Sequence, residues 1–310
     1  MRIQVASANL PKVRDRKPQW LKIRPPENVE KFVKIKEVLQ AFNLHTVCQE
    51  AHCPNLAECW SGGTATFMLM GDTCTRGCRF CAVNTGNPNK VLDPYEPFKL
   101  AKAIKELGLI NYVVLTSVAR DDLPDGGASH FAACIAELKK QIPGILVEGL
   151  IPDFQGSFES LKKVVDAGPD VLDHNIETVR RLQHPVRDKR TKYEQSLSVL
   201  RNAKKINPKI FTKSGLMLGL GETDEEVLET MQDLRENGVD MMTIGQYLRP
   251  SAIHLEVKQF VHPEKFEFFK KKGGEMGFLY VASSPFVRSS YRAGELFIEN
   301  VIKESNNNGQ

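Results

Sequence analysis

The sequence has 310 residues, 41% hydrophobic and 26% charged, with a net charge of +4 at neutral pH. Folded chains of this length bury about 75% of the surface they expose when unfolded, so disulfide staples are not needed to hold one large core. A membrane-spanning helix takes about 18 consecutive apolar residues, and runs such as Thr66-Phe67-Met68-Leu69-Met70 break at once into Gly71 and Asp72; no membrane is expected as a partner, and so slight a net charge gives no case for nucleic acid.

The first twenty residues are basic but contain no apolar core of a secretory signal and only partly fit a mitochondrial presequence, so the chain is expected to stay in the cytoplasm. Arg2, Lys12, Arg14, Arg16, Lys17, Lys22 and Arg24 face a single acid, Asp15. This run reads as a solvated tail, or as a docking arm for an acidic carrier domain. Phe32, Ile35, Leu39 and Phe42 mark a helix, followed by a cysteine-bearing loop.

From Thr66 onward, short β-branched runs alternate with segments of helical period, which predicts a parallel sheet with crossover helices. Strands are expected at 66–71, 112–117, 145–151, 171–175, 210–218 and 241–247. Phe98, Ala101, Ile104 and Leu107 form one helical stripe before Gly108, and Phe131, Ile135, Leu138 and Ile142 form another, each expected to pack on the sheet. Thr223-x-x-Glu226 reads as a capping box opening a helix through Val227, Met231 and Leu234 to a stop at Gly238. Six strand-then-helix units without a G-x-G-x-x-G turn predict an α/β fold, a partial (β/α)6 TIM-like barrel at 66–277. An N-terminal extension (1–65) and a C-terminal one (278–310) flank it, the latter with a strand at 278–283, the stretch Arg288-Ser289-Ser290-Tyr291 and a helix near 293–303.

Six of the seven cysteines fall in two trios, Cys48-x4-Cys53-x5-Cys59 and Cys74-x3-Cys78-x2-Cys81. In a reducing compartment such clustering points to thiolate ligation of metal. Structural zinc normally takes four ligands in paired spacings and each trio supplies three, although His45 or His52 could complete a set. Three thiolates on a four-iron cube leave one iron open to a substrate or cofactor, whereas a ferredoxin-like electron carrier needs every iron ligated by protein. The string CTRGCRFC follows the first predicted barrel strand and so falls at its C-terminal mouth, where active sites of such barrels collect. Ser117, Arg120-Asp121-Asp122, Asn175 and Glu177 follow later strands and are expected at the same mouth. Cys134 reads as core, His174 as a hydrogen-bonded strand-end side chain or a proton carrier, Gly126-Gly127 as a turn capped by Asp125 or Ser129, and Lys270-Lys271-Lys272 as a solvated helix end.

The pattern C-x3-C-x2-C with Phe80 before its last cysteine resembles the signature of the radical S-adenosylmethionine (SAM) superfamily. CQEAHCPNxxECW, CTRGCRFC, TSVARDDLPDGGA, LIPDF, HNIETV, KSGLMLGLGET, GQYLRPS and RSSY, in that order, resemble the lipoyl synthase family from about Trp20 to Glu295. Methylthiotransferases and biotin-synthase-like enzymes are the nearest alternatives, and the order of the trios together with RSSY favours the lipoyl family. The resemblance implies two [4Fe-4S] clusters and SAM as cofactors. Cys74, Cys78 and Cys81 would hold the cluster that cleaves SAM to a 5′-deoxyadenosyl radical; Cys48, Cys53, Cys59 and the Ser290 hydroxyl would hold an auxiliary cluster that donates sulfur. Asn175 and Glu177 would contact the SAM ribose or methionine part, with Ser117 nearby. It further implies sulfur insertion at C6 and C8 of an octanoyl group on a lysine of a lipoyl carrier domain or H protein. An electron donor such as flavodoxin or ferredoxin and a cluster-repair factor would be further partners. Arg187-Asp188-Lys189-Arg190 departs from the Arg-Pro-Gly common in the family, which leaves the shape of that loop open.

Overall fold

A computed structural model describes residues 17–22, 26–62, 65–109 and 111–290. Helix α1 (Val29–Phe42) starts where the Asn28 side chain accepts from Lys31 N at 3.0 Å and stops at Asn43 in the left-handed region, a conformation that asparagine tolerates. There follow β1 (His45–Thr46), α2 (Val47–Glu50), α3 (Leu56–Ser61) and β2 (Thr66–Leu69). A two-stranded pair, β3 (Thr73–Cys74) and β4 (Asn84–Thr85), brackets the second cysteine loop.

The alternation then runs α4 (Glu96–Leu107), β5 (Tyr112–Ser117), α5 (Ala128–Gln141), β6 (Leu146–Leu150), α6 (Phe158–Asp166), β7 (Val171–Asp173), α7 (Gln183–Val186), α8 (Tyr193–Ile206), β8 (Phe211–Leu218), α9 (Asp224–Glu236), β9 (Met241–Gln246), α10 (Pro263–Glu275) and β10 (Tyr280–Ser283). The sheet order is β1-β2-β5-β6-β7-β8-β9-β10. Every neighbouring pair from β2 to β10 is parallel, and β1 adds to β2 antiparallel. Six β/α units therefore make the expected partial barrel, with β10 as the additional strand, and among the described residues no ladder joins β10 back to β1. No helix among them is long and apolar enough to cross a membrane.

The capping box forms as read, with Thr223 and Glu226 exchanging both hydrogen bonds and Gly238 at φ 81 just beyond the helix. The turn before α5 is held by Asp125, which accepts from Gly127 N and Ser129 N at 3.0 Å each. Gly127 holds φ 85, which strains any residue with a side chain, and a Cβ there would also displace the Met70 thioether, 2.3 Å away. Strand β2 ends at Leu69 rather than at residue 71, because Met70 and Gly71 turn to φ 67 and 87. Phe98 does not pack on the sheet: it is 55% exposed, while Leu100 is wholly buried. At 3.6 residues per turn the two point about 200° apart, so the buried face centres on Leu100, Ala101, Ala103 and Ile104. The helix expected near 293–303, Tyr291, and Arg2, Lys12, Arg14, Arg16 and Arg24 of the basic segment lie outside the described residues.

Candidate functional site

The parallel strands end around a cavity of about 500 Å³, inside the range of small-molecule and cofactor sites. Cys48, Cys53 and Cys59 line it, and so do Cys74, Cys78, Cys81, Ser117, Asn175, Glu177 and Ser290. Two trios separated in sequence by a strand and a turn thus open onto one space. None of the seven cysteines is in a disulfide.

The first trio sits on α2, the turn after it, and α3. Cys53 N donates to Cys48 O at 3.0 Å and Leu56 N to Cys53 O at 3.2 Å, which folds the turn back on the first helix. Burial pushes the Cys48 thiol up to about 11. It pushes Cys53 up as well, against the backbone N–H of Asn55 and the positive charge of Arg288. In the second loop, burial raises Cys78 to about 11 and Cys81 to about 12. Thiols must lose their protons to bind metal, so buried thiols of this kind call for a strongly charged occupant. Backbone N–H groups aim at the sulfurs of this loop: Arg76 N and Ala119 N at Cys74 Sγ, both 3.4 Å, Asp188 N at Cys78 Sγ, 3.3 Å, and Val83 N at Cys81. Such donors stabilise a thiolate and tune a cluster held by it.

An element that sequence reasoning missed locks this loop in place. The Arg76 guanidinium, between Cys74 and Cys78, forks onto Asp121 with two 2.8 Å bonds and reaches Asp153 at 2.6 Å. Burial alone would raise the Asp153 carboxyl, but the hydrogen bond and charge of Arg76 outweigh it and hold the group at about 2. Of Arg120-Asp121-Asp122, only Asp121 turns to the cysteine loop, and none of the three lines the cavity. Arg120 is buried away from the cavity, donating to Met70 O, Val91 O and the Asp122 carboxylate. The signal available in the sequence was an arginine inside the cysteine string and aspartates after two strands.

The loop 187–190, open in shape from sequence, packs on the same cysteine loop. Asp188 accepts from Gly77 N at 2.9 Å, and Arg190 Nη2 donates to Thr75 O at 2.6 Å. Arg187 turns inward to Ser196 and Gln183 at 2.9 and 3.1 Å. His174, which also lines the cavity, bonds Ile151 O and Ser196 Oγ at 2.9 and 3.0 Å, and burial with Arg187 nearby lowers it to about 4, which favours the neutral ring at pH 7. Cys134 is wholly buried, beside Glu96 and His130 rather than in purely apolar surroundings. His45 is engaged by Glu50 at 3.3 Å.

In the lining of the same cavity, Asn175 Nδ2 donates to Glu177 Oε1 at 3.1 Å, and Glu177 holds φ 66. That strained backbone keeps its carboxylate beside the cavity, where burial raises it and the Arg187 charge opposes the rise. Asn175 caps no helix. Its Oδ1 and the Ser117 hydroxyl are buried without a partner among the described residues. A Cβ on Gly215 would meet Asn175 Oδ1 at 2.5 Å, so glycine there keeps the space clear. Soft thiol donors in two trios and the orphaned polar atoms of Asn175 and Ser117, all lining one cavity, fit iron–sulfur chemistry and a polar nucleoside such as SAM.

The description "Radical SAM superfamily" matches residues 68–234, and "N-terminal domain of lipoyl synthase of Radical_SAM family" matches residues 5–53. Members of that superfamily bind a [4Fe-4S] cluster and SAM. The lipoyl synthase of Halobacterium salinarum is 59% identical over 93% of both chains. The apicoplast lipoyl synthase of Plasmodium falciparum is 55% identical over 94% of this chain and 70% of its own, and the mitochondrial one of Danio rerio is 54% identical over 93% and 73%. Among solved structures, methylornithine synthase (PylB) superposes with a TM-score of 0.52 at 13% identity, covering 89% of this chain and 95% of its own. SuiB of Streptococcus suis bound to the precursor peptide SuiA gives 0.55 at 11% identity over 81% and 52%. The structural likenesses speak to the barrel alone, but the sequence identities span nearly the whole chain, and by them this protein belongs to the lipoyl synthase family of sulfurtransferases within the radical SAM superfamily.

Proposed function

We propose that the chain inserts two sulfur atoms, at C6 and C8, into an octanoyl group carried on a lysine of a lipoyl carrier domain or H protein. One observation carries the reading: both cysteine trios, Ser290 and the Ser117, Asn175 and Glu177 side chains line a single cavity. Cys74, Cys78 and Cys81 would hold one [4Fe-4S] cluster, and Cys48, Cys53, Cys59 and the Ser290 hydroxyl an auxiliary one. When bound, the clusters and SAM supply hydrogen abstraction from unactivated carbon and the sulfur that replaces the hydrogen.

The chain's own residues orient and shield that chemistry. Asn175 Oδ1 and Ser117 Oγ offer hydrogen bonds to the polar parts of SAM, and Glu177 offers a carboxylate to its ribose or ammonium. Ser290 brings a hard oxygen among soft sulfurs and so marks one iron as chemically distinct. An electron donor such as flavodoxin or ferredoxin and a cluster-repair factor complete the cycle. Thiols that must stay unbridged suit a reducing compartment such as the cytoplasm.

The test is mass spectrometry of an octanoylated carrier peptide after incubation with reconstituted protein, reductant and SAM. The expected product gains two sulfurs, as the dithiol or, on oxidation, with loss of two hydrogens. Ser290→Ala is expected to abolish insertion while SAM cleavage stays measurable; unchanged lipoyl output from that variant refutes its role as a ligand.

A further inference from the structure

Deeper along the strands than the cavity, four neighbouring strands contribute to one polar cluster. Tyr112 comes from β5, Glu148 from β6, Asp173 from β7 and Lys213 from β8; Glu148 and Asp173 are wholly buried and Lys213 is 2% exposed. Lys213 Nζ stands 2.6 Å from Glu148 Oε1 and 3.6 Å from Asp173 Oδ2, and Tyr112 Oη donates to the other Glu148 oxygen at 2.6 Å. A buried ion pair brings little stability over apolar side chains of the same volume, because desolvation offsets the attraction. Stability alone therefore does not account for the cluster.

The ammonium is used beyond the cluster: Lys213 Nζ donates to the carbonyl oxygen of Ser289 at 2.5 Å. Ser289 belongs to the stretch after β10 that folds back into the open side of the barrel. Asn55 Nδ2 donates to Phe286 O at 2.6 Å, Asn175 Nδ2 to Ser289 Oγ at 2.7 Å, and Thr66 Oγ1 to Ser290 Oγ at 2.7 Å. The stretch lies close against two strand glycines. A Cβ on Gly245 would stand 2.0 Å from Val287 O, and one on Gly215 would stand 3.0 Å from Ser289 Oγ.

We propose that Lys213 is a positioning residue for Ser290. Its ammonium, fixed by Glu148 and Asp173, pins the Ser289 carbonyl through a charge-assisted bond. The peptide unit that holds this carbonyl also holds the nitrogen and Cα of Ser290 in one plane. Fixing the oxygen from within the barrel therefore fixes where the Ser290 hydroxyl stands in the cavity. The proposal rests on the reading of Ser290 as an iron ligand.

Two variants test it: Lys213→Met, and Lys213→Met combined with Glu148→Gln and Asp173→Asn, which leaves neither buried carboxylate of the cluster without its cation. In iron-free protein, amide exchange in the peptide spanning 284–290 is expected to rise about ten- to hundredfold over wild type. In protein reconstituted with ⁵⁷Fe, the Mössbauer doublet of the oxygen-ligated iron is expected to be lost. Sulfur inserted per 5′-deoxyadenosine released should fall about 10–100-fold, the usual cost of removing a group that orients a metal ligand. Ser290→Ala, measured alongside, separates the two readings. If Ser290→Ala loses the doublet while both Lys213 variants keep it at wild-type exchange rates, the anchoring role is overturned and the ligand stands. If Ser290→Ala keeps the doublet, the ligand reading falls and this inference falls with it.

Discussion

Replacing Arg76 by Met separates two consequences of one side chain. The guanidinium is 6% exposed and bonds Asp121 and Asp153, whose side chains are 12% and 0% exposed. Removing one partner of a buried pair leaves the other charge without compensation, a loss of about 3–5 kcal/mol. The Asp153 carboxyl gives an independent measure: held at about 2 instead of 3.8, it contributes about 2 kcal/mol of stability at neutral pH. Because its folded value is depressed, the unfolded chain binds more protons between those values. The contribution is thus complete above pH 3.8 and is lost as pH falls through about 2. Urea denaturation of iron-free wild type and Arg76→Met between pH 7 and pH 2 should show a gap of about 3–5 kcal/mol at pH 7 that narrows below pH 4. The same variant should retain less iron at Cys74, Cys78 and Cys81. Arg76→Lys keeps the charge but not the fork and should recover only part of the gap. A gap below about 1 kcal/mol, the worth of an exposed pair, or one that does not change with pH, refutes the claim that this buried fork holds the loop.

Cys74→Ala is expected to lower reconstituted iron from about eight to about four atoms per chain, read by iron assay, as two separate four-iron sites require; an unchanged content would contradict that division. Gly245→Ala drives a methyl into Val287 O and should cost about 1–3 kcal/mol of stability. Altered amide exchange at 284–290 would accompany it. Thr223→Ala removes one half of the capping box and should cost about 1 kcal/mol in thermal unfolding, leaving sulfur insertion intact because α9 is remote from the cavity lining.

Much of the barrel was legible because its signals are local. Branched apolar runs, helical stripes and the Thr223–Glu226 box each act within a few residues, and six β/α units follow from them. The cysteine spacings were equally legible, since each trio sits within a short stretch. Phe98 misled because its own stripe said nothing about which flank of α4 would meet the sheet. Arg120 misled because only the packing showed that it bonds Met70, Val91 and Asp122 away from the cavity while Asp121 meets the cysteine loop.

The sequence by itself therefore determined the α/β order, the two trios and the resemblance to lipoyl synthases. The tertiary structure alone decided which polar groups meet: Arg76 with Asp121 and Asp153, Lys213 with a carbonyl 76 residues away, and Asn55 with one 231 residues away. Periodicity encodes which face of an element is apolar. A polar side chain buried in a barrel takes its partner from whichever strands and returning segments closure brings within about 3 Å, and that distance is set by the assembled sheet.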